Sequence, residues 1–129
     1  MRRVVTDASA LAAVVFAEEA GAEFAPAIEA CQIYAPTILR YEMQNIAWKK
    51  CQRDAGRSRA VLEALDRCLD ARRGIVWMDP NPTDVVLLAQ VTGLSAYDAA
   101  YLWLAGFLGA DLVTADRALA EAHDRFAGM

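Results

Sequence analysis

The stretch VVTDASAL, residues 4–11, holds the change of pattern that decides the fold. Val4, Val5 and Thr6 are β-branched residues that suit a buried strand. Asp7 follows, and an apolar helical stretch begins at once. The reading is a strand over Arg3–Thr6 and a helix over Ala8–Glu18, with Asp7 between them. A carboxylate at such a seam costs free energy unless something pairs with it. Asp is also a good helix N-cap, which gives it a structural reason to be there.

Working outward, the same alternation recurs. A second short strand is expected at Ile33–Ala35, closed by Pro36, a third at Ile75–Met78 and a fourth at Asp111–Thr114. Between them the apolar spacing predicts helices over Gly21–Cys31, Thr37–Asp54, Arg57–Arg73, Thr83–Thr92 and Ser95–Leu108, with a last helix over Asp116–Phe126. Pro26 is awkward in the first of these unless it lies in the first turn. Short apolar strands alternating with helices imply an α/β three-layer sandwich. Its central sheet is short, mainly parallel and of four to five strands, covered by helices on both faces. In such sheets a ligand site forms beyond the carboxyl ends of the strands.

The 129 residues suit one domain, taken as 1–129, and 57% hydrophobic residues suit a well-filled core. The longest apolar run, Ala8 to Ala17, is broken by Ser9 and stops at Glu18-Glu19, short of the ~20 residues a span needs. No membrane association is expected. The start Met1-Arg2-Arg3 runs into a strand and Asp7, so no signal peptide is expected. Cys31, Cys51 and Cys68 have neither disulfide nor zinc spacing and read as buried thiols in the cytoplasm. The net charge of −4 is uneven: residues 40–73 carry +4 and the rest −8. The basic window keeps a nucleic-acid partner possible, although on charge alone a solvated helix face is the simpler reading.

Four acids fall in or near apolar stretches. Asp7 follows the first strand, Asp116 the fourth, Asp98 opens an apolar helix, and Glu42 lies on the helix after the second strand. Each has a local explanation. Asp7 and Asp116 can cap helices, Ser95 to Asp98 fits a capping box, and Glu42 can face solvent. Four carboxylates converging at one sheet edge would repel one another, and a divalent cation removes the conflict. Oxygen-only ligands select Mg²⁺ or Mn²⁺ over Zn²⁺.

The segments VVTDASAL, YEMQNIAW, SAYDAAYLWLA and LVTADRAL together resemble the four acidic motifs of PIN-domain ribonucleases, and most closely the VapC toxins of type II toxin–antitoxin pairs. The resemblance covers essentially the whole chain. It implies a PIN-like fold and a Mg²⁺-dependent endoribonuclease acting through a metal-activated water. Asp7, Glu42, Asp98 and Asp116 would be the catalytic acids, with Asp7, Asp98 and Asp116 as metal ligands. Glu42 would complete the cluster and orient waters, and Ser9 and Thr114 would support the carboxylates. It also implies an RNA substrate, a VapB-like antitoxin and a homodimer. Many relatives add a final short strand, and none is clear here.

Lys49, Lys50 and Arg53 are candidate RNA contacts. The apolar helix at 8–17 and the region around Trp48 form a candidate antitoxin surface, although Trp48, Trp77 and Trp103 each read more simply as core. His123 reads as a surface residue. A non-catalytic PIN-like binding protein is the alternative. A receiver-like phospho-acceptor domain is a poorer one, since only Asp7 is available early and no Lys follows Lys50.

Overall fold

The computed structural model describes residues 2–70 and 74–127. Four strands, β1 (Arg3–Thr6), β2 (Gln32–Ala35), β3 (Val76–Trp77) and β4 (Asp111–Val113), form one parallel sheet in the order β3-β2-β1-β4. Val5 pairs with Tyr34 on one side and Leu112 on the other. Seven helices are described: α1 (Ala8–Val15), α2 (Gly21–Glu29), α3 (Ile38–Arg53), α4 (Ser58–Leu69), α5 (Pro82–Thr92), α6 (Ala96–Leu108) and α7 (Arg117–Ala127). With the right-handed crossovers that parallel units make, the strand order puts α1–α4 on one face and α5–α6 on the other, and α7 packs on α6 and β4. The three-layer sandwich is therefore present. Its core runs through Val5, Leu11, Leu39, Met43, Tyr101, Leu104 and Leu119.

The chain leaves β1 toward β2 and β3 on one side and returns to β4 on the other. The sheet thus has its topological switch between β1 and β4, and a crevice opens at their carboxyl ends. Among the described residues no helix is long and apolar enough to cross a membrane. The three cysteines are free, and burial pushes the Cys68 thiol up to about 11.

Several boundaries differ from the expected ones. The first helix stops at Val15, not Glu18, because Ala17 takes a left-handed conformation (φ 52°) and the Glu18 N–H donates to the Ala13 carbonyl. This is a Schellman-type ending built on Ala where Gly is usual. The second helix holds Pro26 in its interior. The carbonyl that loses its partner there is that of Ala22, on an exposed turn where water can take it. α3 starts at Ile38 because Thr37 is held from outside: Asp79 accepts from the Thr37 N–H (2.8 Å) and from its hydroxyl (3.0 Å). α4 starts at Ser58 and ends at Leu69, since Asp70 is extended, and the expected end at Arg73 lies outside the described residues. β3 shrinks to two residues. A final strand after α7 would lie beyond Ala127, also outside the described residues.

Candidate active site

Three helices begin at the crevice, and each brings a carboxylate with its first turn. Asp7 ends β1 and caps α1, its Oδ1 accepting from the Ala10 N–H at 3.1 Å. Asp116 caps α7 through the Leu119 N–H at 3.1 Å. Asp98 is the third residue of α6, and Ser95 caps that helix by accepting from the Asp98 N–H at 3.1 Å. The capping explanation and the clustering explanation therefore hold together. The helix N-termini supply positive potential where the acids gather. Glu42 arrives separately, from the second turn of α3. A cavity of about 300 Å³ is lined by Asp7, Glu42, Asp98 and Asp116, with Ser9 and Asn45 beside them.

Asp7 is only 6% exposed, and hydrogen bonds reach both oxygens of its carboxylate. The Ser9 hydroxyl donates to Oδ1 at 2.7 Å and the Thr114 hydroxyl to Oδ2 at 2.5 Å. Each hydroxyl also accepts from the backbone, Ser9 from the Ala115 N–H and Thr114 from the Asp116 N–H, both at 3.0 Å. These bonds tie the end of β4 to the end of β1 and meet the requirement that a buried carboxylate be hydrogen-bonded.

Glu42 accepts a hydrogen bond from the phenol of Tyr101, 2.5 Å from its Oε1. Burial raises the Glu42 pKa, as does repulsion from Asp7 and Asp98, while the phenol opposes the rise. Burial raises Asp98 too, helped by Asp116 and Asp7. Tyr101 is shifted upward by burial and by its bond to Glu42, and it stays a phenol. The cavity thus resists carrying all its negative charge at once, a conflict that a cation would relieve.

The donor set is oxygen only, which suits a hard divalent ion. Among the described residues no group of three or more His, Cys, Asp or Glu is placed to hold an ion directly. A hard ion held here would keep much of its water, as Mg²⁺ does.

None of the three candidate RNA contacts lines this cavity. Lys49 is exposed on α3, seven residues beyond Glu42 and so on the same helix face. Lys50 sits 2.7 Å from Glu18 Oε1 and lies over the Phe16 ring. Lys50 and Arg53 line a second cavity of about 340 Å³, with Arg57 and Arg67 at its rim and Phe16 and Val61 among its apolar lining. Both cavities border α1 and α3. Ser9 faces the first and Phe16 the second, about 10 Å apart along the helix.

Burial corrects other readings. The 8–17 helix offers no apolar face, because Ala8, Ala10, Leu11, Ala12 and Ala13 are buried. Trp48 is not core but 59% exposed. His123 is half-buried beside Trp103, Phe107 and Phe126. Tyr101 and Asn45 are not among the site residues expected from the sequence. The available signal was spacing: Tyr101 is three residues after Asp98, and Asn45 three after Glu42, one helical turn in each case.

Comparison with known proteins adds three findings. The PIN domain family matches residues 4–124. Ribonuclease VapC3 from Pyrobaculum aerophilum is 31% identical over 122 residues, covering 92% of this chain and 93% of the relative. The crystal structure of PAE2754 from Pyrobaculum aerophilum superposes with a TM-score of 0.77 at 25% identity, covering 98% of this chain and 93% of the other.

Proposed function

The chain belongs to the PIN-domain family, and from that premise we propose that it is a Mg²⁺- or Mn²⁺-dependent endoribonuclease, the toxin of a toxin–antitoxin pair. The observation that carries the reading is the meeting of Asp7, Glu42, Asp98 and Asp116 in one cavity at the switch point of the sheet. The name of the relative, a VapC ribonuclease, supports the choice of RNA as substrate.

Asp7, Asp98 and Asp116 would hold the divalent ion, in part through water. When bound, the ion lowers the pKa of a water and stabilises charge on a phosphoryl oxygen. The protein's own part is placement. Ser9 and Thr114 fix the Asp7 carboxylate, and the capping bonds fix Asp116 and the helix carrying Asp98. Glu42 would complete the cluster and orient ion-bound water, and with its affinity for protons raised by burial it is suited to take the proton of an attacking water. No side-chain nucleophile is required. RNA would run from the acid cavity along α1 and α3, with Lys49 and the cationic rim of the second cavity holding phosphates outside it.

The proposal extends to one PIN-like domain over residues 1–129, a cytoplasmic site of action, a homodimer and a VapB-like antitoxin that silences the site. Exposed Tyr41, Trp48, Val86, Leu87 and Val91 give apolar surface for such contacts. The test is incubation of antitoxin-free protein with single-stranded RNA in Mg²⁺, Mn²⁺ or EDTA, beside Asp7→Asn. Metal-dependent cleavage that Asp7→Asn abolishes is expected. Intact RNA in both metals overturns the reading.

A further inference from the structure

We infer that Tyr101 is a positioning residue for Glu42, acting through the hydrogen bond between its phenol and Glu42 Oε1; this rests on the ribonuclease reading. Tyr101 is fully buried, at 0% exposure, in the middle of α6. Phe would fill the same volume without a hydroxyl to satisfy, so a buried Tyr requires a partner. The partner is Glu42, on α3 and 59 residues away in sequence.

Glu42 depends on that bond. Among the described residues its carboxylate has no other hydrogen bond. Its neighbours Asp7 and Asp98 repel it, and its long side chain is free to turn toward water. The phenol takes Oε1 and holds the carboxylate over the cavity, which leaves Oε2 to accept from whatever the cavity binds. Ser9 and Thr114 do the same for Asp7. Asp98 and Tyr101 lie one turn apart on α6, so one helix delivers a carboxylate and also braces another that comes from a different layer.

The experiment compares wild type, Tyr101→Phe, Glu42→Ala and the double variant, all as the full chain. A fluorogenic single-stranded RNA gives kcat and KM in Mg²⁺, and calorimetric titration with Mn²⁺ in the absence of RNA gives metal affinity. Loss of a residue that orients a metal-site carboxylate costs about tenfold or more, so kcat of Tyr101→Phe should fall by about that factor. KM should stay within about twofold, and Mn²⁺ should bind more weakly. In the Glu42→Ala background Tyr101→Phe should change nothing further, because the two act as one unit. Leu104→Ala, fully buried one turn farther along the same helix and with no hydrogen bond to Glu42, matches a loss of stability and should keep kcat per folded molecule. Wild-type kcat and Mn²⁺ affinity in Tyr101→Phe overturn the assignment, as does an equal loss with and without Glu42. If wild type cuts no RNA, the ribonuclease reading fails instead, and the Mn²⁺ titrations still decide whether Tyr101 positions Glu42.

Discussion

Thr114 Oγ1, at the end of β4, lies 2.5 Å from Asp7 Oδ2, at the end of β1. The register that pairs Thr6 with Val113 makes the next two residues neighbours. The hydroxyl also receives the Asp116 N–H, so it joins two of the cavity's acids. Thr114→Val keeps the shape and removes both bonds. Urea denaturation should show a loss of about 1–3 kcal/mol, the cost of a buried acceptor left without its donor. RNA cleavage should fall as well, because Asp7 and Asp116 lose their shared support.

Removing charge from the cavity should act in the opposite direction on stability. Asp98 faces repulsion from Asp116 and Asp7, and its cap bond is made by its backbone, not its carboxylate. Asp98→Asn therefore keeps the cap and relieves the repulsion. In EDTA the variant should melt at a higher temperature than wild type, while RNA cleavage is lost. A melting temperature equal to or below wild type would show that repulsion there is already screened.

The pH dependence has a definite sign. Glu42 and Asp98 have folded-state pKa values raised above their ordinary 4.5 and 3.8. The folded state keeps protons that the unfolded chain has lost, so these two groups make stability fall as pH rises from the ordinary values through the raised ones. Melting curves in EDTA between about pH 4 and pH 7 should show this fall in wild type relative to a Glu42→Gln/Asp98→Asn variant. Saturating Mg²⁺ should remove much of the difference, since a ligand that binds only the folded state stabilises it.

Gly21 fixes how closely α1 and α2 approach. A Cβ there would overlap the Ala13 carbonyl, lying 2.9 Å from its carbon, and backbone cannot yield as a side-chain tip can. Gly21→Ala should push the helices apart and cost more than about 2 kcal/mol in urea denaturation. Gly93→Ala is a useful contrast. Its penalty comes from φ of 76° alone, with nothing within 4 Å, and it should cost about 1 kcal/mol.

The sheet and three of the four acids were legible because local chemistry marks them: β-branched runs give the strands, and Asp7, Asp98 and Asp116 each open a helix. Glu42 carries no such local mark and drew its weight from the motif set. Tyr101 was hidden because an aromatic in an apolar helix reads as core, which it also is. The end of α1 was hidden because Ala17 takes a turn usually given to Gly. Charge counting could not separate Lys50 from Lys49. What separates them is Glu18, 32 residues from Lys50 in sequence and reached only through the fold.

That separation makes the last prediction. Lys49 is exposed on the face of α3 that carries Glu42, and Arg53 lies at the rim of the second cavity farther along the same helix. Each cation that contacts a phosphate releases counterions on binding, so losing one reduces the slope of log affinity against log salt by about 1. Lys49→Ala and Arg53→Ala should each weaken binding of a single-stranded RNA and flatten its salt dependence by about that amount. Lys50 is already engaged with Glu18 at 2.7 Å and with the Phe16 ring, so Lys50→Met should change the slope less than either. Binding would be measured by fluorescence anisotropy in Asp7→Asn protein, which leaves the RNA intact. Equal slopes in all three variants and the parent would place the RNA path away from α3.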